Sequence, residues 1–485
     1  MITQRRSCGD YLKLYRAQTS RLDQLMPGDP DGHGRDPDGH LRTVSTTLLL
    51  ALDAADKCEP VGTARLGMDL ASVLDPAGHP VELWETKAVT AFLTHSAESG
   101  RPETDVDMPG LTDASGGRKV ALLLDRFGLV TFDEQDGLRE VRVHAVTARA
   151  VRESNPQGHA SVITTAADAL MELWPEHDYT NRALVAVLRT NASIISQHSA
   201  KADDVLWHLA TGGHCVLWRV GASLQDIGMY AEAANFWQEI ADRSLRVFGP
   251  DHPNTLSSRN NLAYAYESVG DLGRAIPLFE QTLEDRERVL GPDHPDTLGS
   301  RNNLAYAYRS AGDLGRAIPL YQQTLEDTER VLGPDHPNTL SSRNNLAYAY
   351  RSVGDLGRAI PLFEQTLEDR ERVLGPDHPN TLDSRNNLAY AYQSAGDLGR
   401  AIPLFEQTLE DRERVLGPDH PNTLGSRNNL AYAWWEQGRY ADAFTAFEEA
   451  AGSASRLFGD AHEVTRQIVE NRDTAGRMIA EHDDT

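Results

Sequence analysis

Apolar positions in the second half of the chain recur with two periods at once. Within short stretches they fall at helical spacing, and the whole arrangement returns every 42 residues. Leu262, Ala263 and Tyr266 make one stripe, and Leu272, Ala275, Ile276, Phe279 and Leu283 make a second. The marker Gly249-Pro250-Asp251-His252-Pro253 comes back at Gly291, Gly333, Gly375 and Gly417, separating near-identical copies of NTLSSRNNLAYAYESVGDLGRAIPLFEQTLEDRERVL. Four copies are almost perfect, a fifth drifts after Tyr432, and a degenerate one runs from about His214 to Phe248. Leu, Ala, Glu, Arg and Gln favour helix, which excludes the four short strands of a propeller blade. The pattern predicts two helices per unit. Pro253 and Asn254 open the first, which runs to about Ser268 and is ended by Gly270. Asp271 caps the second, which runs to about Leu290 before Gly291-Pro292. Pro277 inside the second helix should cost one hydrogen bond.

Leu262-Ala263, Tyr266, Gly270, Ala275 and Phe279 resemble the tetratricopeptide signature, and the longer unit with NNLA and GPDHP is similar to the variant of kinesin light chains. The resemblance covers about residues 214 to 457, with Thr282 standing where the family usually has Ala. It implies an α-solenoid whose first helices line a concave groove that binds a protein or peptide. On the first helix Ser257, Asn260, Tyr264 and Glu267 share the face opposite the apolar stripe. Asn260 and Tyr264 recur unchanged as Asn302 and Tyr306, Asn344 and Tyr348, Asn386 and Tyr390, and Asn428 and Tyr432. The flanking sites vary: Ser257 becomes Gly299, Ser341, Asp383 and Gly425, and Glu267 becomes Arg309, Arg351, Gln393 and Trp435. Constant amides and rings would hold ligand backbone while the variable sites select side chains. The alternative is that the Asn261 series, or both Asn series, serves the turns between adjacent helices. The recurring His252, His294, His336, His378 and His420 do not suit a metal. Zinc ligands must approach within about 4 Å of each other, whereas neighbouring helices are about 8 to 10 Å apart.

The first part of the chain has another texture. Helical pattern covers Cys8 to Leu25, Val44 to Asp56, Val61 to Leu74 and Glu82 to His95, with polar loops at 27–40 and 99–117. A helix from Arg118 to Phe127, strands Leu129 to Phe132 and Glu140 to Val143, and a helix from His144 then suggest a winged helix. Ser161 to Trp174, Arg182 to His198 and Asp204 to Thr211 are predicted helices, and Ala461 to His482 would cover the last repeat. The expected organisation is therefore mostly α: a helix and flexible loop at 1–40, a winged-helix-like domain at 41–158, bridging helices at 159–213, six repeats at 214–458, and a capping helix with a tail at 459–485.

Charge and chemistry narrow the function. A net charge of −25 repels phosphate backbones and anionic lipids, and the helix around Lys119 offers little basic or amide surface to read bases. The layout resembles the winged-helix part of STAND-class, NB-ARC-like signalling NTPases. Val141-Arg142-Val143-His144-Ala145 is similar to their Met-His-Asp motif, keeping only the histidine, which implies that His144 contacts the β-phosphate of ADP. Yet no Gly-Lys pair exists in the chain, so no GxxxxGK[ST] phosphate cradle is present, and ADP or ATP is expected only if another chain supplies a P-loop core. Three widely spaced cysteines suit a reducing cytosol, no stretch is long and apolar enough to span a bilayer, and the start lacks a signal-peptide apolar region. The resulting expectation is a cytoplasmic, non-enzymatic scaffold or sensor of a STAND-like system without a metal or cofactor. Two alternatives stay open: the regulatory half of a split nucleotide switch whose NTPase module is separate, and a winged-helix transcription regulator gated by a peptide.

Overall fold

The computed structural model describes residues 44–98, 115–155, 159–202, 204–208, 212–460 and 463–483. The predicted helix at Cys8 to Leu25, the loop at 27–40 and most of the loop at 99–117 lie outside them. The chain divides into two compact units, Met1–Ala265 and Tyr266–Thr485.

The first unit holds α1 (Val44–Ala55), α2 (Ala64–Val73), a 3-10 turn (Val81–Glu85), α3 (Lys87–Glu98) and α4 (Ser115–Arg126). An antiparallel pair, β1 (Thr131–Phe132) and β2 (Val141–Arg142), joins α4 to α5 (Ala145–Ser154). Val141 also exchanges both backbone hydrogen bonds with His79. Met68, Leu70, Leu74, Leu83 and Trp84 are fully buried and form the centre. Gly117 is required there, since a Cβ would fall 1.8 Å from the Trp84 carbonyl oxygen. α6 (His159–Leu173) packs on α2 and α3, and α7 (Arg182–Ser199) packs on α2 and α6. Buried Asn191 of α7 accepts from the Asp75 N–H at 2.9 Å. These contacts join the helices after residue 158 to the same body as the helices before it. Then come α8 (Cys215–Asp226), α9 (Tyr230–Phe248) and α10 (Pro253–Ser268).

One predicted helix is absent. Asp204 to Thr211 was expected to be helical, but Trp207–His208 instead pairs with Gly212–Gly213 as a minimal hairpin. Tertiary contacts override the local pattern. Trp207 packs against Trp218 and Phe248, Ser199 accepts from the Leu206 N–H at 2.9 Å, and a Cβ on Gly213 would strike the Trp218 ring at 2.3 Å.

The second unit alternates long and short helices as the 42-residue pattern predicts. The long ones are α11 (Leu272–Leu290), α13 (Leu314–Leu332), α15 (Leu356–Leu374), α17 (Leu398–Leu416) and α19 (Tyr440–Phe458). The short ones are α12 (Pro295–Ser310), α14 (Pro337–Ser352), α16 (Pro379–Ser394) and α18 (Pro421–Glu436), and α20 (Glu463–Asp483) closes the array. Each packs on its neighbours in the chain. The connections between the near-identical copies are chemically specified. Gly333, at φ +90°, ends α13 in the left-handed region, His336 accepts the Asn338 N–H on Nδ1 at 3.1 Å, and Pro337 occupies the first position of α14. Asp355 likewise caps α15. The core is a column of Phe279, Tyr321, Phe363, Phe405 and Phe447, each at most 2 % exposed, flanked by fully buried alanines that let the helices approach. Thr282, the departure from the family's Ala, is buried with its hydroxyl donating to the Leu278 carbonyl at 2.7 Å, so the substitution leaves no polar atom unpaired.

Two arginine series tie repeat to repeat. Arg301, Arg343 and Arg385, whose side chains are 3 % exposed, each join a glutamate of the preceding long helix (Glu287, Glu329, Glu371) to an aspartate of the following one (Asp327, Asp369, Asp411). Those aspartates also bind Arg330, Arg372 and Arg414, which hold Asp293, Asp335 and Asp377 of the linking loops. The loop aspartate of GPDHP is thus one end of a charge chain that crosses each inter-repeat seam.

Candidate partner-binding face

The constant Asn and Tyr rows lie together on the short helices, and they are linked to one another. The Asn345 Nδ2 donates to Asn302 Oδ1 at 3.0 Å, Asn387 to Asn344 at 3.1 Å, Asn429 to Asn386 at 3.1 Å and Asn471 to Asn428 at 3.0 Å. The tyrosines complete the ladder: Tyr348, Tyr390 and Tyr432 hydroxyls donate to Asn387, Asn429 and Asn471 at 2.5, 2.6 and 2.7 Å. Their rings stand edge-on to Phe363, Phe405 and Phe447 at 5.2 to 5.4 Å. Both asparagine series therefore serve the contact between successive helices. The Oδ1 of Asn302, Asn344, Asn386 and Asn428 is used by the array, while nothing among the described residues accepts from their Nδ2. The ladder fixes each amide with its donor side left over. Asn260 and Tyr264 sit on α10, within the first unit, and have partners of their own.

The variable row carries the individuality of the face. Arg309 stacks over Tyr306 at 4.7 Å and Tyr348 at 5.6 Å, and Arg351 over Tyr348 at 4.9 Å and Tyr390 at 5.5 Å. Neither guanidinium has a hydrogen bond or a carboxylate partner among the described residues. Arg316, Arg358 and Arg400, by contrast, are clamped by Asp313, Asp355 and Asp397. Burial raises the hydroxyl pKa of Tyr348 and Tyr390, with Arg351 pulling the other way, so both stay neutral donors. Glu267 accepts from the Ser310 hydroxyl at 2.7 Å. Gln393 donates to Glu436 at 2.9 Å and leaves its buried Oε1 without a partner. Trp435 leans on Tyr440 at 4.6 Å, and a pocket of about 290 Å³ opens beside it against α20.

Two of the expected site features are engaged within the fold. In the Ser257 series, Ser341 and Asp383 turn to the buried guanidiniums of Arg370 and Arg412 in their own repeats. The sequence carried this signal, because the residue 29 positions on is Arg286, Arg370 or Arg412 where the short helix has Ser or Asp, and Thr328 or Ala454 where it has Gly299 or Gly425. His144 is an exposed helix cap whose Nδ1 accepts the Val146 N–H at 3.2 Å. It shares this role with His214, His252, His294, His336, His378 and His420.

A family model of the tetratricopeptide repeat matches residues 214–287, 260–327, 300–372, 344–413 and 386–456, together half of the chain. The chain belongs to the tetratricopeptide repeat family. Among solved structures it is similar to a putative kinesin light chain of Podosopora anserina with nearly identical TPR-like repeats, 32 % identical over 42 % of this chain and 97 % of that one, with a TM-score of 0.38. It is also similar to BtubC (BKLC) from P. vanneervenii, 22 % identical over 54 % and 92 % with a TM-score of 0.33, and to the TPR2AB domain of yeast Sti1 in complex with pHSP90, 16 % identical over 53 % and 95 % with a TM-score of 0.23. No curated protein matches the chain. Tetratricopeptide repeats generally mediate protein–protein interaction, and none of the described helices is long and apolar enough to cross a membrane.

Proposed function

We propose that the short-helix face of the tetratricopeptide array binds an extended, acidic segment of a partner protein. The observation that carries this is the pair Arg309 and Arg351, the charged groups of the variable row left without a counter-ion in a chain of net charge −25. Stacking on tyrosine holds each guanidinium in place before binding, so little side-chain entropy remains to be lost when a carboxylate arrives. The unused Nδ2 donors of the Asn302 row suit backbone carbonyls running alongside. Both arginines flank the Tyr348 ring, about one helix spacing of 10 Å apart, and carboxylates three residues apart in an extended polyproline II segment share one face at about that separation.

A library of random dodecapeptides displayed against the immobilised full chain tests the reading. Acidic peptides are expected to be enriched, and Arg309→Glu with Arg351→Glu should weaken them at least tenfold. Enrichment that ignores charge, or indifference to the double reversal, would contradict it. Charge reversal is the better variant because alanine at Asn302, Asn344 or Asn386 also removes a hydrogen bond that holds the next repeat.

For the first unit we propose a regulatory role of the STAND type, supported by the order of helix, strand pair and helix over residues 115–154. A P-loop module encoded beside or in frame with this chain is the expected finding, and an unrelated genomic neighbourhood counts against it.

A further inference from the structure

The end of the face inverts its own chemistry. α20 keeps the register of the short helices: Asn471 stands 42 residues after Asn429 and takes its place in the ladder, donating to Asn428 and accepting from Tyr432. Three neighbours break the pattern. Glu470 stands where the constant row has asparagine, Thr474 where it has tyrosine, and Arg477 where the preceding repeat has Trp435. In the middle repeats the space between successive tyrosines is filled by the chain's own cation, Arg309 or Arg351. At the last step the second tyrosine is the small Thr474, whose hydroxyl accepts from Arg477 at 3.2 Å, and the Arg477 side chain is not among the walls of the space beside Trp435. What remains is the pocket of about 290 Å³ lined by Tyr432, Trp435, Phe447, Thr474 and Met478, with Glu470 on its wall. Glu470 has no hydrogen bond or ion pair among the described residues, and Arg466 and Arg477 on the same helix come no closer than the 4 Å of an ion pair.

We propose that this pocket takes a lysine or arginine side chain of the partner segment, seated against the Tyr432 and Trp435 rings with its charge on Glu470. The inference rests on the reading of this face as the partner-binding one. A cation suits the site on each count: aromatic faces attract it, and the carboxylate neutralises it. An apolar group would cover Glu470 without pairing it, and an acidic group would be repelled. The face is then bipolar, cationic at Arg309 and Arg351 and anionic at Glu470, which fixes the direction and register of the bound segment. From Arg351 to Trp435 is two repeats, about 20 Å at one helix spacing each, or about six residues of extended chain. The recognised pattern is an acidic pair followed or preceded, about six residues away, by one basic residue.

The same dodecapeptide selection on the full chain tests this. The enriched set should carry a basic residue at a fixed distance from its acidic pair. For one such peptide, replacing the basic residue by glutamine should weaken binding about tenfold to the native chain and leave binding to the Glu470→Gln variant unchanged. Trp435→Leu, which keeps apolar volume but removes the ring, should lower affinity for the basic peptide and not for its glutamine form. Glu470 is exposed, so its variant should melt at the native temperature, and that measurement separates loss of the site from loss of fold. Acidic peptides enriched without a fixed basic residue, or a basic preference that survives Glu470→Gln, overturn the inference and leave the acidic-segment reading intact. Absence of any enriched peptide overturns both.

Discussion

Arginine plays several separate parts in this chain, and the groups around each decide which. Arg286, Arg370 and Arg412 are buried, donate to backbone carbonyls and serines, and have their pKa pulled down by desolvation. Arg309 and Arg351 lie half-buried on rings. Arg301, Arg343 and Arg385 sit between two carboxylates with almost no access to water. Removing the central arginine leaves its glutamate without a partner and its aspartate with one arginine instead of two. Arg343→Ala is therefore expected to cost about 3 kcal/mol, because Glu329 and Asp369 would face each other across the seam. Urea denaturation followed by far-UV circular dichroism measures it. A loss under about 1 kcal/mol would mean that water reaches the seam and that the network adds little. Composition and spacing alone do not distinguish a surface pair from one closed over by the next helix.

At the scale of the element, the repeat was legible nearly to the residue. Pro253–Ser268 and Leu272–Leu290 match the predicted helices because each end carries its own stop or start: histidine cap, proline, left-handed glycine, aspartate cap. Pro277 and its copies Pro319, Pro361 and Pro403 remain inside unbroken helices of 19 residues. They lie at the second turn on the exposed side, so the carbonyl four residues back, as in Gly357, is left to solvent. Restoring the N–H should help. Pro361→Ala is expected to stabilise the array by about 1 to 3 kcal/mol, raising the melting temperature, and a lower melting temperature would show that the ring itself contributes packing there. Where the sequence misled, the cause was non-local. The hairpin at Trp207 is set by rings from α8 and α9, and the bonds between the two Asn rows were not visible because their partners lie in the next repeat, 43 residues along. The register of Glu470 in α20 was hidden because only Asn471 and a few small residues persist there.

The two units should respond to acid at different pH values, and the sign follows from their buried groups. In the first unit burial lowers His79 to about 3, and burial together with the charges of Arg152, Lys201 and His159 lowers His198 to about 3. An unfolded histidine takes up its proton near 6.5, so the stability these groups contribute is full above that pH and is lost as pH falls toward 3. For His79 alone the loss at pH 5 is about 2 kcal/mol. Asp69 opposes this. Burial raises it to about 6 against the Asn155 hydrogen bond, so its contribution grows more favourable as pH falls from about 6 to 4, offsetting part of one histidine but not two. In the repeats the shifts run the other way. Hydrogen bonds from Arg330, Arg372 and Arg414 hold Asp293, Asp335 and Asp377 below the usual carboxylate range, and burial, which would raise Asp327, Asp369 and Asp411, is outweighed by the same arginines together with Arg301, Arg343 and Arg385. Their contribution is complete above about pH 4 and fades only below it. Hydrogen exchange measured between pH 7 and 3.5, corrected for intrinsic rates, should then show protection falling first in residues 64–98, 115–155 and 159–199, between pH 6.5 and 5. Residues 295–456 should hold to about pH 4, and His198→Gln should shift the first transition toward acid. Simultaneous loss in both units would mean that the histidines are already solvated in the native protein, and that the acid limit of the whole chain is set by the carboxylate ladder alone.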